Sequence, residues 1–141
     1  MADKVPVIFK VDQDPTQSVE AIQRASRIIL NGGVVAFPTE TFNGLAALAL
    51  DERALQQIYL LKGRPPHKSL SILVADVTEL QHCVHHIPAE ARELMARFWP
   101  GPLTLVFQAT EHLPGKLTAG TGKIGVRISP HPVAHALERC A

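Results

Sequence analysis

The chain has 141 residues, 46% hydrophobic and 19% charged, with a formal net charge of +1. That length suits one domain with a buried core, and the composition excludes a disordered or low-complexity chain. Near-neutrality excludes a generally basic nucleic-acid coat, and Lys, Arg, Gly or Pro break every apolar stretch short of the roughly 18 residues a membrane span needs.

In chain order, Val5 to Phe9 is too short for the apolar region of a signal peptide. Asp14-Pro15 reads as a helix start, a capping side chain followed by a proline where no N–H is needed. Val19, Ile22, Ile28 and Ile29 form its apolar stripe, and Gly32-Gly33 ends it. Val34 to Phe37 predicts a short strand stopped by Pro38. Asp51 can cap a second helix with Leu55, Ile58, Tyr59 and Leu61 inward and Gly63 past its end. Leu70 to Val74 reads as a strand, and a weaker helix follows Asp76. Pro88 opens a helix through Leu94, Met95 and Phe98, closed by Trp99-Pro100-Gly101-Pro102. Strands at Leu103 to Phe107 and Ile124 to Ile128 precede a last helix near His131-Pro132. The alternation predicts a mixed α/β fold with helices packed on a twisted mixed sheet, as one domain over residues 1–141. Helix signals run into Cys140-Ala141 without a glycine or proline stop, so the domain is expected to lack its C-terminal part.

Charge is distributed unevenly. No acid lies between Glu52 and Asp76, where Arg53, Lys62, Arg64, His67 and Lys68 fall, nor between Glu111 and Glu138, where Lys116, Lys123 and Arg127 fall. Two acid-free basic windows point to local anion binding rather than a broad electrostatic surface. Cys83 and Cys140 cannot make a disulfide framework and suit a reducing, cytoplasmic setting.

Phosphate-loop and dinucleotide fingerprints are absent, since Gly122-Lys123 runs into Ile124 and no G-x-G-x-x-G follows a strand. His82, Cys83, His85 and His86 are metal ligands by type, but successive helical positions point apart, so a solvated helix is the expectation and no protein-bound metal is predicted. His131 and His135 read as a surface pair. Pro38-Thr39-Glu40-Thr41-Phe42-Asn43-Gly44-Leu45 leaves the C-terminal end of a strand, where open α/β sheets place ligands, although Asn-Gly is also an ordinary turn signal. Lys62-Gly63-Arg64-Pro65-Pro66-His67-Lys68 holds three cations in a loop restrained by proline, a plausible polyphosphate clamp.

Pro38-Thr39-Glu40-Thr41 with Gly44-Leu45, Lys62-Gly63-Arg64-Pro65 with Lys68, Phe98-Trp99-Pro100-Gly101-Pro102-Leu103-Thr104, and Gly125-Val126-Arg127 before His131-Pro132 together resemble the YrdC family in order and spacing. The resemblance implies a threonylcarbamoyl-adenylate synthase acting in tRNA modification, with L-threonine, bicarbonate and ATP as substrates. It implies threonine binding by Thr39 and Arg127 and ATP binding by Lys62, Arg64, Lys68 and Lys123, with no catalytic side-chain nucleophile. Mg2+ would arrive with the nucleotide, and tRNA and its modification proteins would be indirect partners, with no membrane involved. Asn43, Ala46, Ser69, Leu73 and Ser129 depart from the family pattern. Three alternatives stand beside this reading, one of them a non-enzymatic remnant left by truncation. An RNA-binding module is poorly served by 5% aromatic residues, and a carbamoyl-transfer domain of the hydrogenase-maturation type shares the basic loop.

Overall fold

The computed structural model describes residues 8–10 and 18–140, so the helix start read at Asp14-Pro15 lies outside the described residues. Helix α1 (Val19–Leu30) turns Ile22, Ala25 and Ile29 inward. Val19 and Ile28, expected in that stripe, are partly exposed, because the buried arc follows positions three and four apart. The helix stops at the expected glycines, with the Gly33 N–H donating to the Ile28 carbonyl at 2.8 Å.

Strands β1 (Val35–Phe37) and β2 (Gly44–Ala46) form an antiparallel hairpin with Phe37 opposite Gly44. β2 was no part of the sequence expectation: Gly-Leu-Ala has little strand propensity, and pairing with β1 overrides it. Helix α2 (Glu52–Lys62) begins at Asp51, whose carboxylate accepts from the Arg53 and Ala54 N–H groups at 3.0 and 3.2 Å. It buries Ala54, Leu55, Ile58 and Tyr59. Leu61, expected inside, is exposed, since it lies about 200° around the helix from Tyr59. Gly63 closes the helix at φ 59° in the left-handed region, which a side chain would disfavour.

A second sheet has the order β3-β5-β4, with β3 (Ser71–Leu73) parallel to β5 (Lys123–Arg127) and β4 (Leu105–Gln108) antiparallel to it. β4 starts two residues later than expected because the turn before it is pinned separately, the Trp99 indole donating to the Leu103 carbonyl at 2.7 Å. Between the strands lie α3 (Val77–Cys83), α4 (Ala89–Phe98) and the short α5 (Gly115–Thr118), which the sequence did not signal; α6 (Pro132–Cys140) follows β5. In α4 only Met95 is buried, while Leu94 and Phe98 stay partly exposed. The expected mixed α/β architecture is present, with its strands divided between two sheets.

One core cluster covers the inner face of the larger sheet, where Ile72, Phe107, Ile124 and Val126 meet Leu55, Ile58, Tyr59, Leu80 and Leu117. A second joins α1 and α6 to β1 through Ile22, Ile29, Phe37, Val133 and Leu137. Between them β2 and β3 line a cavity of about 450 Å³ that Lys62, Arg64 and Glu138 also reach. No helix among the described residues is long and apolar enough to cross a membrane.

Candidate functional site

Strand alternation divides β5 into two sets of side chains. Ile124 and Val126 enter the core, while Lys123, Gly125 and Arg127 share the opposite face. Ser71 and Val106 flank Gly125 in register on that face, and both are exposed. Arg127 ends the row beside Leu73.

Arg127 is held from two sides. Its Nε and Nη2 donate to Thr104 Oγ1 at 3.1 and 2.9 Å, and its Nη1 donates to Glu40 Oε1 at 3.3 Å. Glu40 reaches it from the loop between β1 and β2, and its other oxygen accepts from the buried Ser129 hydroxyl at 2.6 Å. Ser129 Oγ in turn accepts from the His131 N–H at 3.1 Å. Burial pushes the Glu40 carboxyl up, but hydrogen bonds from Ser129, its own backbone N–H and Arg127 outweigh it, so the group stays below the usual carboxylate range.

Thr39, next to Glu40, lies at the same loop. Its hydroxyl donates to the Phe42 carbonyl and approaches Thr41 Oγ1 at 3.2 Å, so it also shapes the turn. Lys123 opens β5, four residues before Arg127 and thus about 13 Å away. Lys123 and Arg127 therefore cannot grip one small anion; they can serve opposite ends of a nucleotide-sized ligand. Gly125 sits midway, where a Cβ would meet Ser71 Oγ and Thr104 Cγ2 at 3.1 Å each. Gly125 is itself buried, with Ser71 and Thr104 packed around the space a side chain would take between the two cations.

Lys62 and Arg64 line the cavity, whereas Lys68 is exposed on the loop between α2 and β3. Arg64 has turned back on that loop, its Nε and Nη2 donating to the Lys68 and Ser69 carbonyls at 3.3 and 2.5 Å. The Tyr59 hydroxyl lies 2.9 Å from the Lys68 carbonyl and 2.7 Å from that of Lys116, tying the loop to α5. The loop is thus preshaped, and Arg64 contributes as much to its conformation as to its charge. Sequence reasoning placed Thr104 and Gly125 in its motifs without a role, noted Ser129 only as a departure, and treated Glu40 only as one polar group of its loop.

The histidine expectations need correction. α3 ends at Cys83, so His85 and His86 lie beyond it, and His85 Nε2 meets Glu111 at 3.1 Å. His131 caps α6, its Nδ1 accepting from the Val133 N–H at 3.2 Å, and His135 Nδ1 is 3.8 Å from Glu138 Oε2. Both are half-buried, so the expected pair does not lie on a fully exposed surface. Among the described residues no group of three or more His, Cys, Asp or Glu could hold a metal ion.

The Sua5/YciO/YrdC family profile, described as telomere recombination, matches residues 27–140. A Pyrococcus abyssi protein named threonylcarbamoyl-AMP synthase is 45% identical over 113 residues, covering 80% of this chain and 33% of that protein. A Chromobacterium violaceum protein of the same name is 39% identical over 117 residues, covering 83% and 61%. The solved structure of P. abyssi Sua5 complexed with L-threonine superposes with a TM-score of 0.84 at 39% identity, covering 94% of this chain and 37% of that one. The chain spans between a third and about three-fifths of the length of these two curated relatives. With the profile matching most of its length, the chain belongs to the Sua5/YciO/YrdC family.

Proposed function

We propose that this chain provides L-threonylcarbamoyladenylate synthase activity, using L-threonine, bicarbonate and ATP, for threonylcarbamoyl modification of a tRNA adenosine in the cytoplasm. The observation that carries the reading is the anchored Arg127 at one end of a sheet face with Lys123 exposed at the other. Its support from outside the chain is the relatives' name and the threonine-bound Sua5 structure.

Arg127 suits the threonine carboxylate, and Thr39, from the same loop as Glu40, suits a polar group of the threonine. Lys62, Arg64, Lys68 and Lys123 suit ATP phosphates, with Arg64 also setting the loop's shape. Mg2+ enters as the nucleotide's own counterion, since the phosphate-facing residues are cations and would hold no metal. The threonine amine adds to bicarbonate with loss of water, giving a carbamate. A carbamate oxygen then attacks the α-phosphorus, and pyrophosphate leaves with the electron pair of the broken P–O bond. This chemistry asks the protein for positioning and charge neutralisation rather than a side-chain nucleophile.

Pyrophosphate release should require ATP, L-threonine and bicarbonate together; equal release with L-serine, or with no amino acid, overturns the assignment. Lys68→Ala is the cleaner probe of the basic loop, because Lys68 is exposed and its contacts to the loop are made by its backbone. It should weaken ATP binding by roughly ten- to a hundredfold, the size of one charge-assisted phosphate contact, and leave L-threonine binding unchanged. Calorimetry with each ligand separates the two.

A further inference from the structure

Arg127 makes its contacts with both sides of the guanidinium, yet one N–H on each of Nη1 and Nη2 has no partner among the described residues. N–H groups left on the two terminal nitrogens can serve a carboxylate, and their direction depends on the groups holding the rest of the guanidinium. Thr104 alone fixes one side. A guanidinium held at one side can still swing about its long stem, so the second anchor decides where the fork points.

That second anchor is Glu40, and it is itself anchored. Its loop brings it across 87 residues of sequence to Arg127, and Ser129 holds its other oxygen from a fully buried site. A carboxylate gripped in this way at both oxygens, and kept ionised, is a poor general base but a good strut.

We propose that Glu40, held by Ser129, is the positioning residue that aims the Arg127 guanidinium at the substrate's carboxylate. This deepens the threonine reading of the site and rests on it for the identity of the ligand. Glu40 acts through geometry: what matters is an acceptor oxygen opposite Nη1, not the negative charge or a proton taken from the substrate.

The test uses the full chain and three variants. Glu40→Gln keeps an acceptor oxygen without the charge, Glu40→Ala removes both, and Ser129→Ala removes only the support. The ligand-free readout is the Arg127 Nη1–H resonance, the group that donates to Glu40, in nitrogen–proton NMR, identified by its loss in Arg127→Lys. It should be distinct in the parent chain and in Glu40→Gln, and should collapse toward the position of solvated arginines in Glu40→Ala. The ligand readout compares L-threonine with L-threoninamide, which lacks the carboxylate. Glu40→Ala should lose about tenfold or more in L-threonine affinity with little change for the amide, Glu40→Gln should stay within about threefold, and Ser129→Ala should fall between.

An unchanged Arg127 resonance in Glu40→Ala overturns the proposal. So does Glu40→Gln failing as badly as Glu40→Ala, which would assign the role to charge or proton transfer. If the parent chain ignores L-threonine, the functional reading fails, and the resonance still decides whether Glu40 positions Arg127. Should Glu40→Ala not fold, Ser129→Ala carries the test, and parent behaviour in both readouts overturns the proposal.

Discussion

Glu138→Gln should flatten the pH dependence of stability and leave the variant about 3 kcal/mol more stable than the parent near pH 9, while the two match near pH 4. Glu138 lies on α6 with its side chain only 10% exposed, and neither carboxyl oxygen has a hydrogen-bond partner. His135 Nδ1 approaches at 3.8 Å, too far for a hydrogen bond. Lys62 and Arg64 line the same cavity, and Glu79 lines it too. Burial, with smaller contributions from Glu79 and Glu40, pushes the Glu138 carboxyl up to about 8 from its ordinary 4.5. The folded chain therefore holds a proton that the unfolded chain releases near pH 4.5. Stability from this group is fully present below that pH and is lost as pH rises toward about 8. Each unit of pH in that window removes up to about 1.4 kcal/mol, reduced here because the cavity beside the group is open to water. For a chain of this size, 3 kcal/mol corresponds to roughly 10 °C in melting temperature. Melting both proteins from about pH 4 to pH 9 isolates Glu138, since every other titration is common to the two. Parallel profiles would mean that the carboxyl is solvated or paired.

Local signals in the sequence located the elements well where a single residue carries the physics. Asp51 caps α2, and Gly63 ends it in the left-handed conformation, each by interactions spanning a few residues. Burial was legible only in part. Leu61, Leu94 and Phe98 are apolar and helical, but which arc faces inward depends on what packs against it. β2 was hidden because Gly-Leu-Ala becomes a strand only through pairing with β1. The site followed the same division. Its cations could be read from two acid-free windows, and the motifs drew attention to Thr39 and Arg127. What holds them could not be read: Glu40 and Thr104 meet Arg127 from 87 and 23 residues away. Arg64 shows the opposite limit, since its charge was legible but its return to its own loop was not.

Gly125→Val should remove at least about a hundredfold of threonine-dependent pyrophosphate release while the fold survives. Valine suits a strand interior, and the backbone at Gly125 lies outside the positive-φ region, so the substitution meets no main-chain obstacle. The obstacle is the side-chain space at this buried glycine, which Ser71 and Thr104 already crowd. A Cβ there would stand 3.1 Å from Ser71 Oγ and 3.1 Å from Thr104 Cγ2, so both neighbours must give by a few tenths of an ångström. Ser71 is exposed and can turn away. Thr104 cannot move without consequence, because its Oγ1 accepts from both Arg127 Nε and Nη2. The branched side chain also projects between Lys123 and Arg127, where the proposed ligand must lie to reach both. Two effects thus coincide: a disturbed guanidinium and a blocked path, together costing roughly 3 kcal/mol or more in the transition state. Gly125→Ala should be intermediate, since it brings the Cβ contacts without the branches. Thermal melting of both variants should stay within a few degrees of the parent, which separates occlusion from unfolding. Turnover within about threefold of the parent in Gly125→Val would mean that the ligand does not cross this face of the sheet.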